Sequence, residues 1–508
     1  MNAILFKRIF AVSLLLCILI SVFAACGKTE GQTPSNDDNS IPDENLAEET
    51  TEETILKADL PEDFDLGGME IRIMMYPVGG TDWQDWASRD IYSEAENGEP
   101  INDAVYARNL ATEERLNCKI LGIEKDSQQD LIKKQALAGS DDYHISTCRM
   151  EGLKTIVQDG YLVNLHSLEY MDLSKPWYDR DMVDNATILG QLYYVTGDMI
   201  ILDDDSTSAM VFSKSMVSDF NMDSPYLLVN DSKWTFDKMD EMITVASEDL
   251  NGDGVIDLED QYGLIWQRDA IVSYLHAAGG RIVTMNDKQR PELTLDTEHN
   301  QIVMQRIFDI MYRDDIVINL HHYEGKMDIY QLQTKMFSEN RVLMMWIRMR
   351  VVETLRNMEN DFGIIPMPKF DEAQSHYHHT VNRYTGCSVC IPNSAGFDHQ
   401  LIGAVIEQMS AEARYTVREA YYDVYLGTKL VRDPESTDML DIIMNNRVFD
   451  CGELYDIAGL SWNMYLLTMK NTGDFASFLA KHDKVTNKSM DKFISKFEGM
   501  ADEQGIDY

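Results

Sequence analysis

Strands and helices alternate in the first part of this 508-residue chain, and this order restricts the fold more than any other feature. Met69–Tyr76 alternates into an apolar strand, Ile101–Asn117 carries apolar residues near one helical face, and Cys118–Ile123 has strand character again. A helix over Gln128–Leu137 and a strand over Tyr143–Cys148 follow. Because parallel strands need a long crossover connection, usually a helix, this order predicts a parallel sheet covered by helices.

A second alternation of strands and helices follows later in the chain. It includes the strands Ala209–Phe212, Val342–Trp346 and Phe362–Ile365, and the helix Thr235–Ser247. From about Asp398 the helical pattern dominates to the end. We therefore predict an α/β protein with two lobes and a mainly helical C-terminal part.

The N-terminus has the pattern of a secretory signal. Lys7 and Arg8 precede an apolar run, Ile9–Phe23, and small residues lead into Cys26. Phe23-Ala24-Ala25-Cys26 resembles a bacterial lipobox, which implies cleavage before Cys26 and acylation of that cysteine. The alternative is a transmembrane anchor, but the run is shorter than the ~20 apolar residues that a spanning helix needs. The sequence predicts a protein anchored to the cell membrane by lipid, on its extracytoplasmic face.

Residues 26–58 are acidic and poor in large apolar side chains, so we predict a disordered tether between anchor and body. The whole chain has 44 basic and 86 acidic residues, a formal net charge of −42. Such a charge repels phosphate backbones, which argues against nucleic acid as a partner.

The cysteines do not form an obvious disulfide framework. Apart from Cys17 and Cys26 in the N-terminal segment, the chain has the odd number of five, so at least one free thiol is expected. Cys387 and Cys390 have CxxC spacing but lie in a pattern typical of a buried strand. Packing is the favoured interpretation; a disulfide, or redox or metal chemistry, stays open.

Several segments resemble the bacterial extracellular solute-binding proteins of family 1, the carbohydrate type. They are the helix Asn102–Asn117, the strand and its Pro-rich exit Asp361–Lys369, and the C-terminal pieces Tyr425–Asp433 and Met439–Asp441. The resemblance implies a type II periplasmic-binding fold, with a hinge and a ligand cleft. It also implies a monomeric receptor that delivers a carbohydrate, expected to be an oligosaccharide, to the permease of an ABC importer.

On this interpretation the chain divides into six segments. They are a signal peptide (1–25), a tether (26–58), the first part of the N-lobe (59–195), a C-lobe (196–378), the second part of the N-lobe (379–425) and a helical C-lobe tail (426–508).

Sugar sites combine flat apolar faces with paired polar groups. The loop after the first strand has both, in Trp83, Asp85 and Trp86. The alternative is a surface loop with one tryptophan folded into the core.

Further cleft candidates follow other strands. Arg149 could form bidentate hydrogen bonds with ligand hydroxyls or a ligand carboxylate. Alternatively, it could form a salt bridge with one of the many acids of the protein. Trp346 ends a predicted strand and precedes Arg348, and the resemblance implies a stacking platform there, with core packing as the alternative.

Three more candidates lie near the lobe crossovers and in the tail. Asp204 belongs to the run of three acids 203–205 after the first crossover. It is the candidate for contact with ligand hydroxyls, whereas the other two acids are expected to lie in a solvated turn. Tyr384 lies near the second crossover, and Trp462 lies in the tail.

Residues 249–260 match the calcium loop D-x-[DN]-x-[DN]-G, with acids at positions 9 and 12. The predicted ligands are Asp249, Asn251, Asp253, the Val255 carbonyl, Asp257 and Asp260. Because strand character follows the loop, a structural calcium clip is favoured over a sensor. The alternative is a metal-free loop of Asx turns.

The chain has none of the common enzyme motifs, such as GxSxG, HExxH, a P-loop or GxGxxG after a strand. We therefore expect a binding protein. The alternatives are a secreted glycoside hydrolase and a calcium-dependent adhesion module.

Overall fold

The computed structural model describes residues 55–77, 88–355, 358–422, 434–470 and 473–508. Within these ranges Leu56–Tyr508 belongs to one compact unit. Cys26, most of the predicted tether, and the loop with Trp83, Asp85 and Trp86 lie outside the described residues.

The strands of the described residues are short and spread over most of the chain. In order they are β1 Met69–Met75, β2 Cys118–Glu124, β3 Ile145–Arg149, β4 Ser208–Ser213, β5 Tyr262–Trp266, β6 Val283–Met285, β7 Pro291–Leu293, β8 Val317–Asn319, β9 Val342–Arg348, β10 Phe362–Ile365, β11 His379–Thr380, β12 Cys387–Cys390 and β13 Arg447–Val448.

The α-helices of the described residues range from 3 to 30 residues in length, and the longest is the last. In order they are α1 Pro100–Leu116, α2 Gln128–Ala138, α3 Leu153–Gln158, α4 Arg180–Ala186, α5 Leu202–Asp205, α6 Lys214–Asp219, α7 Pro225–Asn230, α8 Phe236–Val245, α9 Ala270–Ala277, α10 Glu298–Met311, α11 Ile329–Ser338, α12 Val352–Leu355, α13 His399–Arg414, α14 Val417–Glu419, α15 Pro434–Met444, α16 Cys451–Leu454, α17 Leu460–Leu467 and α18 Phe475–Gln504.

The first sheet has the strand order β12-β3-β1-β2. β1 runs parallel to both β2 and β3, with α1 and α2 as the crossover helices, so the predicted parallel arrangement is confirmed. β12 arrives from much later in the chain and pairs antiparallel with β3. Its Cys387 and Cys390 are buried, and both are free thiols.

Local sequence explains why α1 begins and ends where it does. The Glu99 carboxylate accepts hydrogen bonds from the backbone N–H groups of Ile101 and Asn102, at 3.1 and 3.2 Å. Pro100 occupies the first turn, where its missing N–H costs nothing. The helix stops at Asn117, which adopts a left-handed conformation with φ 48°.

The second sheet has the order β10-β4-β9-β5-β8. β5 is parallel to β8 and β9, whereas β4 is antiparallel to both β9 and β10. The sheet is therefore mixed. The direction of a strand in a sheet depends on neighbouring strands that are far away in the chain. The periodicity of apolar residues within one strand does not reveal these neighbours.

Two crossings between the sheets lie side by side. The N–H of Asn382 donates to the Ser206 carbonyl at 2.9 Å, and Thr207 forms an antiparallel bridge with Val381. β13 adds a third strand by pairing with β11. These hydrogen-bonded crossings form the hinge region between the two lobes.

The C-terminal part is mainly helical, as predicted. α13 packs on α1 of the first lobe, and α15 packs on β10 of the second. The 30-residue α18 begins at the Asp474 cap and ends at Gly505, where φ is 68°. In the described parts of the chain, no helix combines the length and apolar character that crossing a bilayer requires.

Candidate functional site

Aromatic and charged side chains from both sheets and the C-terminal helices meet in one place. Arg149 ends β3, Arg268 follows β5, Arg383 and Tyr384 precede β12, and Trp462 and Tyr465 lie on α17. We call these six residues, with the acids that pair with them, the aromatic–arginine cluster.

The centre of the cluster is a stack of arginine and tyrosine. The Arg383 guanidinium lies 4.5 Å from the centre of the Tyr384 ring and donates to its hydroxyl at 2.8 Å. The Tyr384 and Tyr465 rings are 6.1 Å apart. Burial raises the pKa of Tyr384 to about 12, so its hydroxyl stays protonated at neutral pH and can donate a hydrogen bond.

Two acids hold Arg383 in this position. Its Nε lies 3.4 Å from a Glu453 carboxylate oxygen, and its Nη2 lies 3.3 Å from Asp456. The Tyr465 hydroxyl donates to the same Glu453 oxygen at 3.0 Å. Arg383 and Glu453 are both buried. Removing either side chain would leave the other as an unpaired buried charge, which destabilises a folded protein.

The outer edge of the cluster is Trp462. Its side chain is 43% exposed, and the Arg268 guanidinium lies 5.4 Å from the ring centre. Arg268 also pairs with Glu324 at 3.0 Å, which brings in the segment after β8. A cation over an indole face is attracted by the ring quadrupole, so Arg268 orients this ring.

Arg149 connects the cluster to the first sheet. Its Nη1 donates to the Tyr384 carbonyl at 3.3 Å and pairs with Glu151 at 2.9 Å. The guanidinium also lies 6.0 Å from the Tyr76 ring, just after β1. The salt bridge that the sequence left as an alternative is therefore present, in addition to the position near the cluster.

The cluster combines an exposed indole face with fixed donors and acceptors, an arrangement suited to a polyhydroxylated or zwitterionic ligand. The structure brings together three predicted residues, Arg149, Tyr384 and Trp462. Sequence reasoning missed Arg268 and Arg383 as site residues. The signal for Arg268 was its position directly after the apolar strand β5.

Solved structures with the same fold were found by comparison. An ABC substrate-binding protein of Listeria monocytogenes, in complex with cycloalternan, is 11% identical with a TM-score of 0.51; the match covers 85% of this chain and 99% of that one. UspC of M. tuberculosis is 11% identical with a TM-score of 0.54, over 83% and 100% of the two chains. A sugar transporter of Rhizobium etli in an open conformation is 14% identical with a TM-score of 0.51, over 84% and 99%.

The fold is that of ABC substrate-binding proteins. The likeness confirms the two-lobed α/β architecture that the resemblance implied. No protein-family model matches the sequence, and no curated protein matches it at the sequence level.

In this substrate-binding fold, Trp346 does not form an exposed platform. β9 continues to Arg348, so Trp346 lies inside the strand, opposite Met210 of β4. Its side chain is only 1% exposed and belongs to the main hydrophobic core. Trp346 therefore packs in the core, which was the alternative interpretation of the sequence. Arg348 is also buried, at the carboxyl end of β9.

The run 203–205 is not a solvated turn, because all three acids are buried in α5 next to the first crossover. Arg447 pairs with Asp179 at 2.6 Å, with Asp203 at 3.1 Å, and also with Asp204. Burial raises the pKa of Asp204 to about 7, against the opposing effect of Arg447. Asp204 therefore belongs to an ion-pair network at the hinge.

The third acid of this run has different partners. Asp205 pairs with Arg89 at 2.8 Å and with Arg350 at 3.1 Å, and the Tyr421 hydroxyl donates to it at 2.9 Å. Burial opposes its ionisation, but the two arginines outweigh burial and leave the pKa of Asp205 below its usual value. This carboxylate ties α5 to the segments before α1 and after β9.

One buried chain of hydrogen bonds joins a hydroxyl, a histidine and an acid, the same types of group as in a catalytic triad. His276 Nδ1 lies 2.8 Å from Thr380 Oγ1, and its Nε2 lies 3.2 Å from Asp450. Asp450 also accepts from the N–H groups of Ile282 and Val283, at 2.6 and 3.2 Å. Thr380, His276 and Asp450 are all buried, and the network connects β11 and the segment after β13 to α9.

In the calcium-loop segment, the acids bond to the loop backbone. Asp249 accepts from the N–H groups of Gly252 and Gly254, at 2.7 and 2.8 Å. Asp260 accepts from Leu250 and Asp257, each at 2.9 Å. Within the described residues no group of three or more His, Cys, Asp or Glu side chains is arranged to hold a metal, and calcium binding stays a prediction.

Proposed function

We propose that this protein is the extracytoplasmic receptor of an ABC importer. It captures a carbohydrate, of oligosaccharide size, between its lobes and passes it to the permease. Three kinds of support converge on this proposal. The fold is shared with substrate-binding proteins, several of which are described with sugars bound. The aromatic–arginine cluster lies where residues after the strands of both lobes meet. The N-terminus has the pattern of a lipoprotein signal.

The observation that carries the proposal is the half-exposed indole of Trp462 beside the Arg268–Glu324 pair. The C–H face of a pyranose packs on an aromatic ring, while its hydroxyls accept from a guanidinium and donate to a carboxylate. The nearby Tyr384 and Arg149 add donors from the first lobe. A ligand that contacts both lobes favours the closed state by its difference in affinity for the two states.

The first experiment is a screen of glycans and other small solutes by thermal shift, followed by calorimetry of the best ligand. Reaction mixtures are then checked for hydrolysis products. We expect saturable binding of an intact sugar, and a smaller radius of gyration in solution scattering at saturation. Turnover of the sugar would replace this proposal with the glycoside hydrolase. Binding of peptides or polyamines alone would retain the receptor but change its solute.

We propose that Cys26 anchors the receptor to the cell membrane. In cells fed a labelled fatty acid, the wild-type protein should carry the label. Cys26→Ala should carry none, and it should be released or remain as an uncleaved precursor. Cys17→Ala is the control, since Cys17 lies in the part of the chain that cleavage removes. Label on the Cys26→Ala protein would contradict the anchor.

We also propose that residues 249–260 bind a structural calcium ion. The twelve-residue spacing supports it, as do Gly252 and Gly254, whose φ angles of 74° and 85° allow the loop to turn sharply. Most of the loop is exposed, Asp260 is buried at its end, and five of its twelve residues are acidic. A cation would offset the repulsion between these acids.

A further inference from the structure

The exposed face of α18 carries a continuous row of lysines. Lys481, Lys484, Lys488, Lys492 and Lys496 recur every three or four residues, and all five are exposed. At 3.6 residues per turn they lie within an arc of about 120°. Phe493 and Phe497, on the opposite side, are buried in the core. We call this row the lysine stripe.

The stripe is unusual in this protein. The chain has nearly twice as many acids as bases, 86 against 44, yet none of the five lysines forms an ion pair in the described residues. By contrast, Lys238 pairs with an acid on its own helix, and Lys335 pairs with the acid that directly follows its helix. Asp491 flanks the stripe, and Asp483 projects to another side of α18. The stripe is therefore a local positive surface on a strongly negative molecule.

A cavity lies at the N-terminal end of the stripe, between α17 and α18. Its volume is about 280 Å³. Two lysines, Lys470 and Lys481, border it together with Asp474 and the imidazole of His482. Burial and then the two lysines lower the pKa of His482, which favours its neutral form. Leu466 and Phe478 supply apolar walls.

Apolar side chains are also exposed along this surface. Val485 is 60% exposed and lies within the arc of the lysines, and Leu466, beside the cavity, is 37% exposed. A surface that mixes lysines with exposed aliphatic groups is typical of contact with a lipid interface. A soluble polyanion would use the charges but not the aliphatic groups.

We propose that the lysine stripe and its adjoining cavity bind anionic phospholipid headgroups at the membrane surface. The phosphate groups contact the lysines, and Val485 and Leu466 contact the upper acyl region. Elsewhere the negative charge of the protein repels the same membrane, so contact through α18 sets the orientation of the body. The inference uses the proposed Cys26 anchor only to place a membrane within reach of the body.

The test uses the chain from residue 26 with Cys26→Ala, which retains the whole unit Leu56–Tyr508 but carries no lipid. Flotation with phosphatidylcholine vesicles is compared with and without phosphatidylglycerol, at low and at physiological salt. We expect binding only to the anionic vesicles, and weaker binding as salt rises. Replacement of Lys484, Lys488, Lys492 and Lys496 by Gln should reduce that binding at least about tenfold.

A matched variant replaces four exposed lysines elsewhere, Lys57, Lys119, Lys134 and Lys288, by Gln. It changes the net charge equally and should bind vesicles like the parent. Equal losses in both variants, or no binding by the parent at low salt, would overturn the proposal. Binding of the parent to soluble polyphosphate but not to vesicles would assign the stripe to a polyanion instead.

Two further measurements distinguish a loss of membrane binding from misfolding of the variants and from failure of the proposed sugar-binding function. Thermal melting of both variants should match the parent, because the replaced side chains are exposed and make no ion pairs. Sugar binding should also be unchanged in the stripe variant. Normal vesicle binding in a protein that binds no sugar would refute the proposed function and leave this inference standing.

Discussion

The guanidinium of Arg268 lies 5.4 Å from the centre of the Trp462 ring, which joins the loop after β5 to helix α17. The ring is 43% exposed and therefore open to a ligand, while its position is set by a residue of the loop that follows a strand of the second sheet. This contact distinguishes Trp462 from the buried Trp346 and determines which tryptophan should matter for binding.

Trp462→Ala should weaken binding of the sugar found in the screen at least about tenfold, the effect of losing one stacking hot spot. Calorimetry measures the affinity, and denaturant unfolding should change by less than about 1 kcal/mol, because the side chain is partly exposed. Tyr508→Ala is the control, since this aromatic side chain has the same exposed fraction of 43% at the C-terminus. Equal affinities for both variants and the parent would remove Trp462 from the site.

Trp346→Ala should act on stability. The side chain is 1% exposed inside β9, so its removal leaves a cavity and should lower the free energy of unfolding by about 3–5 kcal/mol. Urea unfolding measures this loss, and Trp346→Phe should lose less. A Trp346→Ala protein with wild-type stability and no sugar binding would restore the stacking role that the sequence suggested.

Glu407 should make stability depend on pH. Burial raises the pKa of Glu407 to about 7, although the Tyr178 hydroxyl donates to it at 2.6 Å. At a pH between the pKa of this carboxyl in the unfolded state and its pKa in the folded state, the folded protein holds a proton that the unfolded chain has lost. The free energy of unfolding therefore falls as pH rises through this window and levels off above it.

Glu407→Gln removes this contribution. The loss of unfolding free energy between about pH 5 and pH 8 should be roughly 2–3 kcal/mol smaller than in the parent. Urea unfolding at the two pH values measures it, with Glu419→Gln, an exposed residue of α14, as the control. The same pH dependence in Glu407→Gln and in the parent would show that this carboxyl ionises normally.

Calcium should stabilise the protein through residues 249–260. At a hundredfold excess over Kd, a bound ion adds about 2.7 kcal/mol to the free energy of unfolding. Thermal melting with calcium or with chelator measures the difference in the parent, and in Asp249→Ala/Asp253→Ala it should nearly vanish. Magnesium is the comparison ion. A parent melting curve that chelator leaves unchanged would refute the site.

Much of the fold was readable from local pattern. Helix α1, from Pro100 to Leu116, and strand β1, from Met69 to Met75, lie within one or two residues of their predicted bounds. Their periodicity and caps act over only a few residues, so the sequence contains the necessary information. The helical C-terminal part was predicted correctly for the same reason.

The sequence by itself determined the strands and helices with a clear local pattern, such as β1, α1, β2 and β9, and indicated two α/β lobes. Only the tertiary structure decided that β4 and β10 run antiparallel to their neighbours, that α5 is buried, and that Trp462 and not Trp346 is exposed. Arg447 approaches Asp203 and Asp204 from more than two hundred residues away. Burial and ion pairing between such distant segments depend on how the chain packs, and no local pattern specifies that packing.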